Sequence, residues 1–123
     1  MNEQPSTLGQ VAQRAHDLDR ATTFYRDVLG LRHIATYDPP GLVFFDLGNT
    51  RLLIEKAAPS ARLYLRVSDI HAETARLKTL NVEIVEEPQL IFSDSTGTFG
   101  SPGAEVWISA FTDSEGNTLC LIT

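Results

Sequence analysis

The sequence predicts an α+β fold built from two βαβββ modules in tandem. Three observations predict it: an internal repeat, a change of hydrophobic period inside each repeat, and turn residues that cut the remainder of each repeat into short strands. Arg14 and Arg66, Asp17 and Asp69, and Leu18 and Ile70 pair at one constant offset of 52 residues. The triplet Gly48-Asn49-Thr50 returns as Gly116-Asn117-Thr118, each time ahead of an apolar run. Unlike residue types held in one register mark a duplicated structural unit.

The first module covers about residues 8–57. Gln10 to Ala15 is expected as a strand leading to Asp17, whose carboxylate suits a helix N-cap. Leu18, Ala21, Phe24, Tyr25, Val28 and Leu29 then form a helical stripe, and Gly30 suits the stop. Strands are expected at Leu31 to Thr36, Leu42 to Leu47 and Arg51 to Lys56. They are divided by Asp38-Pro39-Pro40-Gly41 and by the Gly48-Asn49 pair, a hairpin signal between two β-rich runs.

The second module covers about residues 60–123. Leu63, Leu65 and Val67 alternate with Arg62, Tyr64 and Arg66, the period of a half-buried strand. After the cap at Asp69, Ile70, Thr74, Leu77 and Leu80 fall at helical spacing. Further strands are expected at Val82 to Val85, Val106 to Thr112 and Leu119 to Ile122. The segment Glu86 to Ala104, with Gly97, Gly100, Pro102 and Gly103, is expected as a long loop, the kind that is often functional or mobile. A βαβββ unit cannot close a core alone, so the two are expected to pair as one domain over residues 1–123, with a ligand in the cleft between them.

Composition narrows the function. Of 123 residues, 42% are hydrophobic and 21% charged, which fits a globular domain with a real core. Ten Lys and Arg against 16 Asp and Glu give a net charge of −6, with no basic stripe to engage a phosphate backbone, so nucleic acid is not an expected partner. No apolar run approaches the ~20 residues needed to cross a bilayer. Met1 to Thr7 lack the order of a signal peptide, so no membrane partner is expected and a cytoplasmic location is. Cys120 is the only cysteine, which excludes an internal disulfide and a cysteine-rich zinc knuckle.

On these residues the chain resembles the vicinal oxygen chelate superfamily of glyoxalases, bleomycin-resistance proteins and extradiol dioxygenases. The most specific stretches are Asp17-Leu18-Asp19-Arg20-Ala21 through Phe24-Tyr25-Arg26-Asp27-Val28-Leu29-Gly30-Leu31, Gly48-Asn49-Thr50-Arg51-Leu52-Leu53, and Asp113-Ser114-Glu115-Gly116-Asn117. The resemblance implies paired βαβββ modules around a U-shaped cleft, commonly in a homodimer. It also implies that metal-dependent members place four ligands on the first and last strands of the two modules. The corresponding positions here are Gln10 and Arg62, seven residues before each capping Asp, with Leu53 and Cys120 on the closing strands; Glu55 follows Leu53 on the same face. Arg62 is permanently protonated, has no lone pair to donate and repels a divalent ion. A four-ligand metal centre is therefore not expected, and no metal or other cofactor is assigned.

His16, His33 and His71 lack ligand spacing and are read as structural or surface residues, His33 alone standing on an element that lines the cleft. By strand parity Gln10, Arg14, Arg62, Tyr64, Arg66, Leu53, Glu55 and Cys120 share the concave face, with Phe44 and Trp107 as additions. Gln10, Arg14, Phe44, Glu55, Arg62, Tyr64, Arg66, Trp107 and Cys120 are the candidate ligand-binding residues. Cationic and polar groups beside apolar walls suit a small organic molecule with a polar handle. The leading expectation is a glyoxalase- or bleomycin-resistance-like protein that binds such a ligand without a metal. One rival is a metal-dependent lyase or isomerase acting through an enediolate, with Glu55 as its proton shuttle. The other is a metal-free enzyme in which Arg62 and Tyr64 supply the electrostatics.

Overall fold

The computed structural model describes residues 6–123. The amino-terminal segment read above as lacking a leader therefore lies, apart from Ser6 and Thr7, outside the described residues. The chain divides into two compact units, the first ending at Ala61 and the second running from Arg62 to Thr123.

The first unit comprises β1 (Gln10–Arg14), α1 (Leu18–Thr23), a π-helical turn over Phe24–Val28, β2 (Arg32–Tyr37), β3 (Leu42–Asp46) and β4 (Arg51–Glu55). The second comprises β5 (Tyr64–Arg66), α2 (Ile70–Thr79), β6 (Ile84–Asp94), β7 (Ala104–Thr112) and β8 (Thr118–Ile122). Both are βαβββ. Each forms a four-stranded sheet, in the orders β1-β4-β3-β2 and β5-β8-β7-β6. In each, the first strand runs parallel to the last and the other neighbours are antiparallel.

Both helices start as their caps predict. Asp17 is extended, at φ −125 and ψ 107, and its carboxylate accepts the Arg20 N–H at 3.0 Å. Asp69 repeats this with the Ala72 N–H, also at 3.0 Å. After Thr23 the first helix widens by one residue per turn, with Leu29 N–H donating to the Phe24 carbonyl at 3.0 Å. Gly30, at φ 75, then ends it. The adjacent pair Phe24 and Tyr25 are both buried and meet edge to face at 5.6 Å. In the second helix Ile70, Thr74 and Leu77 are buried as the stripe requires, but Leu80 is 44% exposed. Leu80 sits at the C-cap, outside helical geometry, and so falls off the stripe.

Strand parity then decides which face each helix covers. Val43, Phe45, Leu52 and Ile54 are buried on one face of the first sheet, where Tyr25 meets Phe45 at 5.9 Å. In the second sheet Ser109, Phe111, Leu119 and Leu121 are buried on the face towards α2, and Thr74 Oγ1 lies 3.1 Å from Ser109 Oγ.

One expectation fails. Residues 86–104 are not a loop throughout, because β6 continues to Asp94 and leaves only 95–103 irregular. The alternation that would have signalled the strand is broken by register shifts between Ile84 and Glu86, Glu86 and Gln89, and Leu90 and Phe92. Each bulge flips the facing of the following residues. Pro88 is tolerated because β6 is an edge strand, where an absent N–H costs no ladder bond.

Gln13, fully buried on β1, holds the end of the first unit. Its Oε1 accepts the Ala61 N–H at 2.8 Å and the Arg14 N–H at 3.0 Å, and its Nε2 donates to the Ala61 carbonyl at 2.7 Å. Replacing Gln13 by Leu keeps the volume but removes all three of these part-buried hydrogen bonds. We expect a loss of about 2 to 4 kcal/mol, read as a lower urea midpoint with an unchanged slope.

Candidate functional site

The face of each sheet turned away from its own helix carries the polar candidates. In the first sheet, β1 and β4 pair Gln10 with Arg51, Ala12 with Leu53 and Arg14 with Glu55. β3 adds Phe44 opposite Leu53. Gln10, Arg14, Phe44, Leu53 and Glu55 thus share one face, as parity predicts. Arg51, which the sequence reading missed, ties part of it together. Its Nε donates to Gln10 Oε1 at 3.1 Å, and its guanidinium lies 5.7 Å from the centre of the Phe44 ring. Tyr37 meets that ring edge to face at 6.1 Å. Glu55 lies four positions along β4 from Arg51, roughly 13 Å at strand rise. There it borders a cavity of about 350 Å³ with Leu18, Asp38, Pro40 and Lys56.

In the second sheet Tyr64 lies opposite Cys120 and Arg66 opposite Ile122. Arg62, two residues before Tyr64, points the same way. Its guanidinium interacts electrostatically with the Tyr64 side chain, and its Nη1 approaches Cys120 Sγ to 4.0 Å. The interaction with Tyr64, with the nearby Cys120 and then Glu86, holds the guanidinium above its ordinary pKa. Cys120 is 1% exposed, and its burial pushes the thiol pKa up. Arg62 opposes that rise without cancelling it, while Glu86 adds to it. No local pattern marks Glu86, which follows the bulge after Ile84; the register places it opposite Ala110, the β7 partner of Cys120.

Arg66 stands at the other end of this face, beside a cavity of about 330 Å³ also lined by Phe92, Phe99, Val106, Ile108 and Ile122. Its far wall is the 95–103 loop, organised by Asp94. The buried Asp94 carboxylate accepts the N–H groups of Thr98 at 2.8 Å and Phe99 at 2.9 Å. The Asp94 carbonyl accepts from Gly97 at 3.1 Å and Gly103 at 2.7 Å. Gly97 is required in this turn: it sits at φ +73, and a Cβ there would lie 2.9 Å from the Gly100 carbonyl oxygen.

Trp107 is a correction to the face assignment. It neighbours Ile108 on β7 and so faces the opposite side, where its ring meets His71 of α2 at 4.9 Å. Counting parity back from Cys120 across the β7–β8 register would have shown this. His33 likewise turns to the helix-covered face, with its ring 5.6 Å from Phe45 and its Nε2 2.7 Å from Thr36 Oγ1. The three histidines are dispersed. Among the described residues no group of three or more His, Cys, Asp and Glu is placed to hold a metal ion.

The family model for the Glyoxalase/Bleomycin resistance protein/Dioxygenase superfamily matches residues 7–121. The chain belongs to this superfamily. Solved structures with the same fold include a superfamily member from Sphaerobacter thermophilus DSM 20745, with 18% identity, TM-score 0.75 and coverage of 95% of this chain and 96% of that one. An antibiotic binding protein from Streptomyces sp. CB03234 matches at 22% identity and TM-score 0.74, covering 98% and 97%. A lactoylglutathione lyase from Agrobacterium tumefaciens matches at 23% identity and TM-score 0.68, covering 98% and 95%. At these identities the likeness is one of fold. Comparison with curated proteins finds no match.

At the four positions to which the resemblance assigns metal ligands, the side chains make a poor donor set for a divalent cation. Leu53 has no donor atom. Arg62 offers only N–H groups and a positive charge. The Gln10 oxygen already accepts from Arg51. Cys120 is the one side chain of the four that commonly ligates zinc, and it is buried beside the Arg62 guanidinium. Glu55 is no substitute partner for Gln10, since donor atoms on one zinc ion each lie about 2 Å from it and these two side chains start roughly 13 Å apart.

The raised Cys120 thiol makes a testable pH profile. A group whose pKa is higher folded than unfolded stabilises the fold below the unfolded value and loses that contribution as pH rises through the folded one. The urea midpoint should therefore fall as pH rises above about 8.5, where the unfolded thiol titrates. Arg62→Ala removes an opposing positive charge and should deepen that fall, as urea titrations across this pH range would record.

Proposed function

We propose that the protein binds a small organic molecule on the open sheet faces of its modules and does so without coordinating a metal at the four superfamily positions. The observation that carries this reading is Arg62. A permanently charged guanidinium, lying 4.0 Å from the Cys120 sulfur and interacting with Tyr64, occupies a position that the metal-dependent pattern gives to a ligand. The same guanidinium is well suited to a carboxylate, an enolate or another oxygen-rich group on a ligand. Around it the apolar and aromatic side chains supply surface for the ligand's body. The antibiotic binding protein of like fold supports a binding role for this architecture. A homodimer belongs to the same reading, and sedimentation equilibrium checks it.

The deciding experiment is calorimetric titration of chelator-treated protein with nickel, zinc and manganese. We expect no stoichiometric heat in the micromolar range. Tight 1:1 binding would instead favour the metal-dependent lyase or isomerase. Arg62→His, which restores a lone pair and removes the fixed charge, should raise metal affinity by about tenfold or more, equivalent to about 1.4 kcal/mol. An unchanged affinity would show that position 62 does not face the metal-ligand positions.

A further inference from the structure

The cavity beside Arg66 has the chemistry of a specific ligand class. Two acidic side chains border it, and both already accept hydrogen bonds: Asp94 from the Thr98 and Phe99 amides, and Glu105 from Trp107 Nε1 at 3.3 Å. Arg66 is exposed and has no hydrogen-bond or ion-pair partner among the described residues. It is therefore the one charged group at the cavity with every donor still available, and five N–H groups in a planar fork match a carboxylate in two-point contact.

The remainder of the wall is apolar and aromatic. Phe92 and Phe99 meet edge to face at 5.8 Å with 63° between the rings, and Phe99 is 79% exposed, the largest exposure of any large hydrophobic side chain among the described residues. A phenyl ring so uncovered is held there by the hydrogen bonds of its own loop: the Phe99 amide is fixed on Asp94, and the turn at Gly97 admits no side chain without strain. The ring is thus presented in place before any ligand arrives, which lowers the ordering cost of binding. Val106, Ile108 and Ile122 form the floor between it and Arg66.

We propose that this cavity is a subsite for an aromatic carboxylate, with the carboxylate on Arg66 and the ring system against Phe92 and Phe99. The proposal rests on the small-molecule reading above and names the ligand class for the second module. A cavity of about 330 Å³ lies at the small end of the range for ligand pockets, which suits a body of one or two fused rings.

The test uses three probes of one shape and different charge: 2-naphthoate, neutral 2-naphthamide and cationic 2-naphthylmethylammonium, each titrated into the full chain by calorimetry. We expect 2-naphthoate to bind about tenfold more tightly than the amide and the ammonium to bind least. Arg66→Gln should erase the preference for naphthoate over naphthamide while leaving the melting temperature unchanged, because the side chain is exposed. Phe99→Ala should weaken both naphthoate and naphthamide by about tenfold, since it removes ring surface that does not discriminate charge. Equal binding of acid and amide, a preference for the ammonium, or an undiminished preference in Arg66→Gln would each overturn the assignment. So would no binding of any probe at millimolar concentration. None of these outcomes bears on the metal titration, which tests the broader reading separately.

Discussion

Each sheet has two faces and each module has one helix, and that inequality governs the molecule. A strand sends alternate side chains to opposite sides, so a single helix can cover only one of the two sets. The covered one is the aliphatic and aromatic set around Phe45, Leu52 and Ile54 in one module and around Phe111, Leu119 and Leu121 in the other. What remains is a face that needs no helix partner and is free to carry Gln10, Arg14, Arg51, Arg62, Tyr64 and Arg66. The parallel pairing of the first and last strands then brings residues far apart in sequence, such as Tyr64 and Cys120, to the same level of that face.

The chemistry of the open face follows from which charges are already compensated. In the first module Arg51 is held by Gln10 and by the Phe44 ring. In the second, Arg62 lies among Tyr64, Cys120 and Glu86, whereas Arg66 stands alone at the apolar end. Two arginines four residues apart on one strand face therefore differ in kind. One is part of a local network that a ligand would have to enter, and the other presents all its donors. The thiol beside the first is kept protonated chiefly by burial, which outweighs the nearby guanidinium. That makes Cys120 a small apolar neighbour rather than a nucleophile.

The 95–103 loop illustrates how little sequence is needed to hold an exposed aromatic ring in position. One aspartate fixes two amides with its carboxylate and two more with its carbonyl. Charge-assisted bonds of this type are stronger than neutral ones, so a short, polar, glycine-rich segment keeps a defined shape without a core of its own. Its support is the end of β6, an edge strand whose three register shifts curl it out of simple alternation.

By itself the sequence determined the repeat, both helix starts, the turn at Gly48-Asn49 and the parity of β1, β4, β5 and β8, because caps, glycines and a period of two are local signals. It also puts an arginine at position 62, where the resemblance to the superfamily implies a metal donor, a matter of residue type alone. Tertiary structure decided the rest. β6 extends to Asp94 only because β7 pairs with it through bulges, and a bulge erases the very period by which a strand is recognised. Trp107 turned to the helix-covered face because pairing with β8 fixed the register of β7. Arg51, Glu86 and Phe99 joined the site through partners 41, 34 and 5 residues away, namely Gln10, Cys120 and Asp94. The two longer separations are bridged only by strand pairing, and the shortest by a loop whose shape depends on a carboxylate being buried where water cannot compete for it.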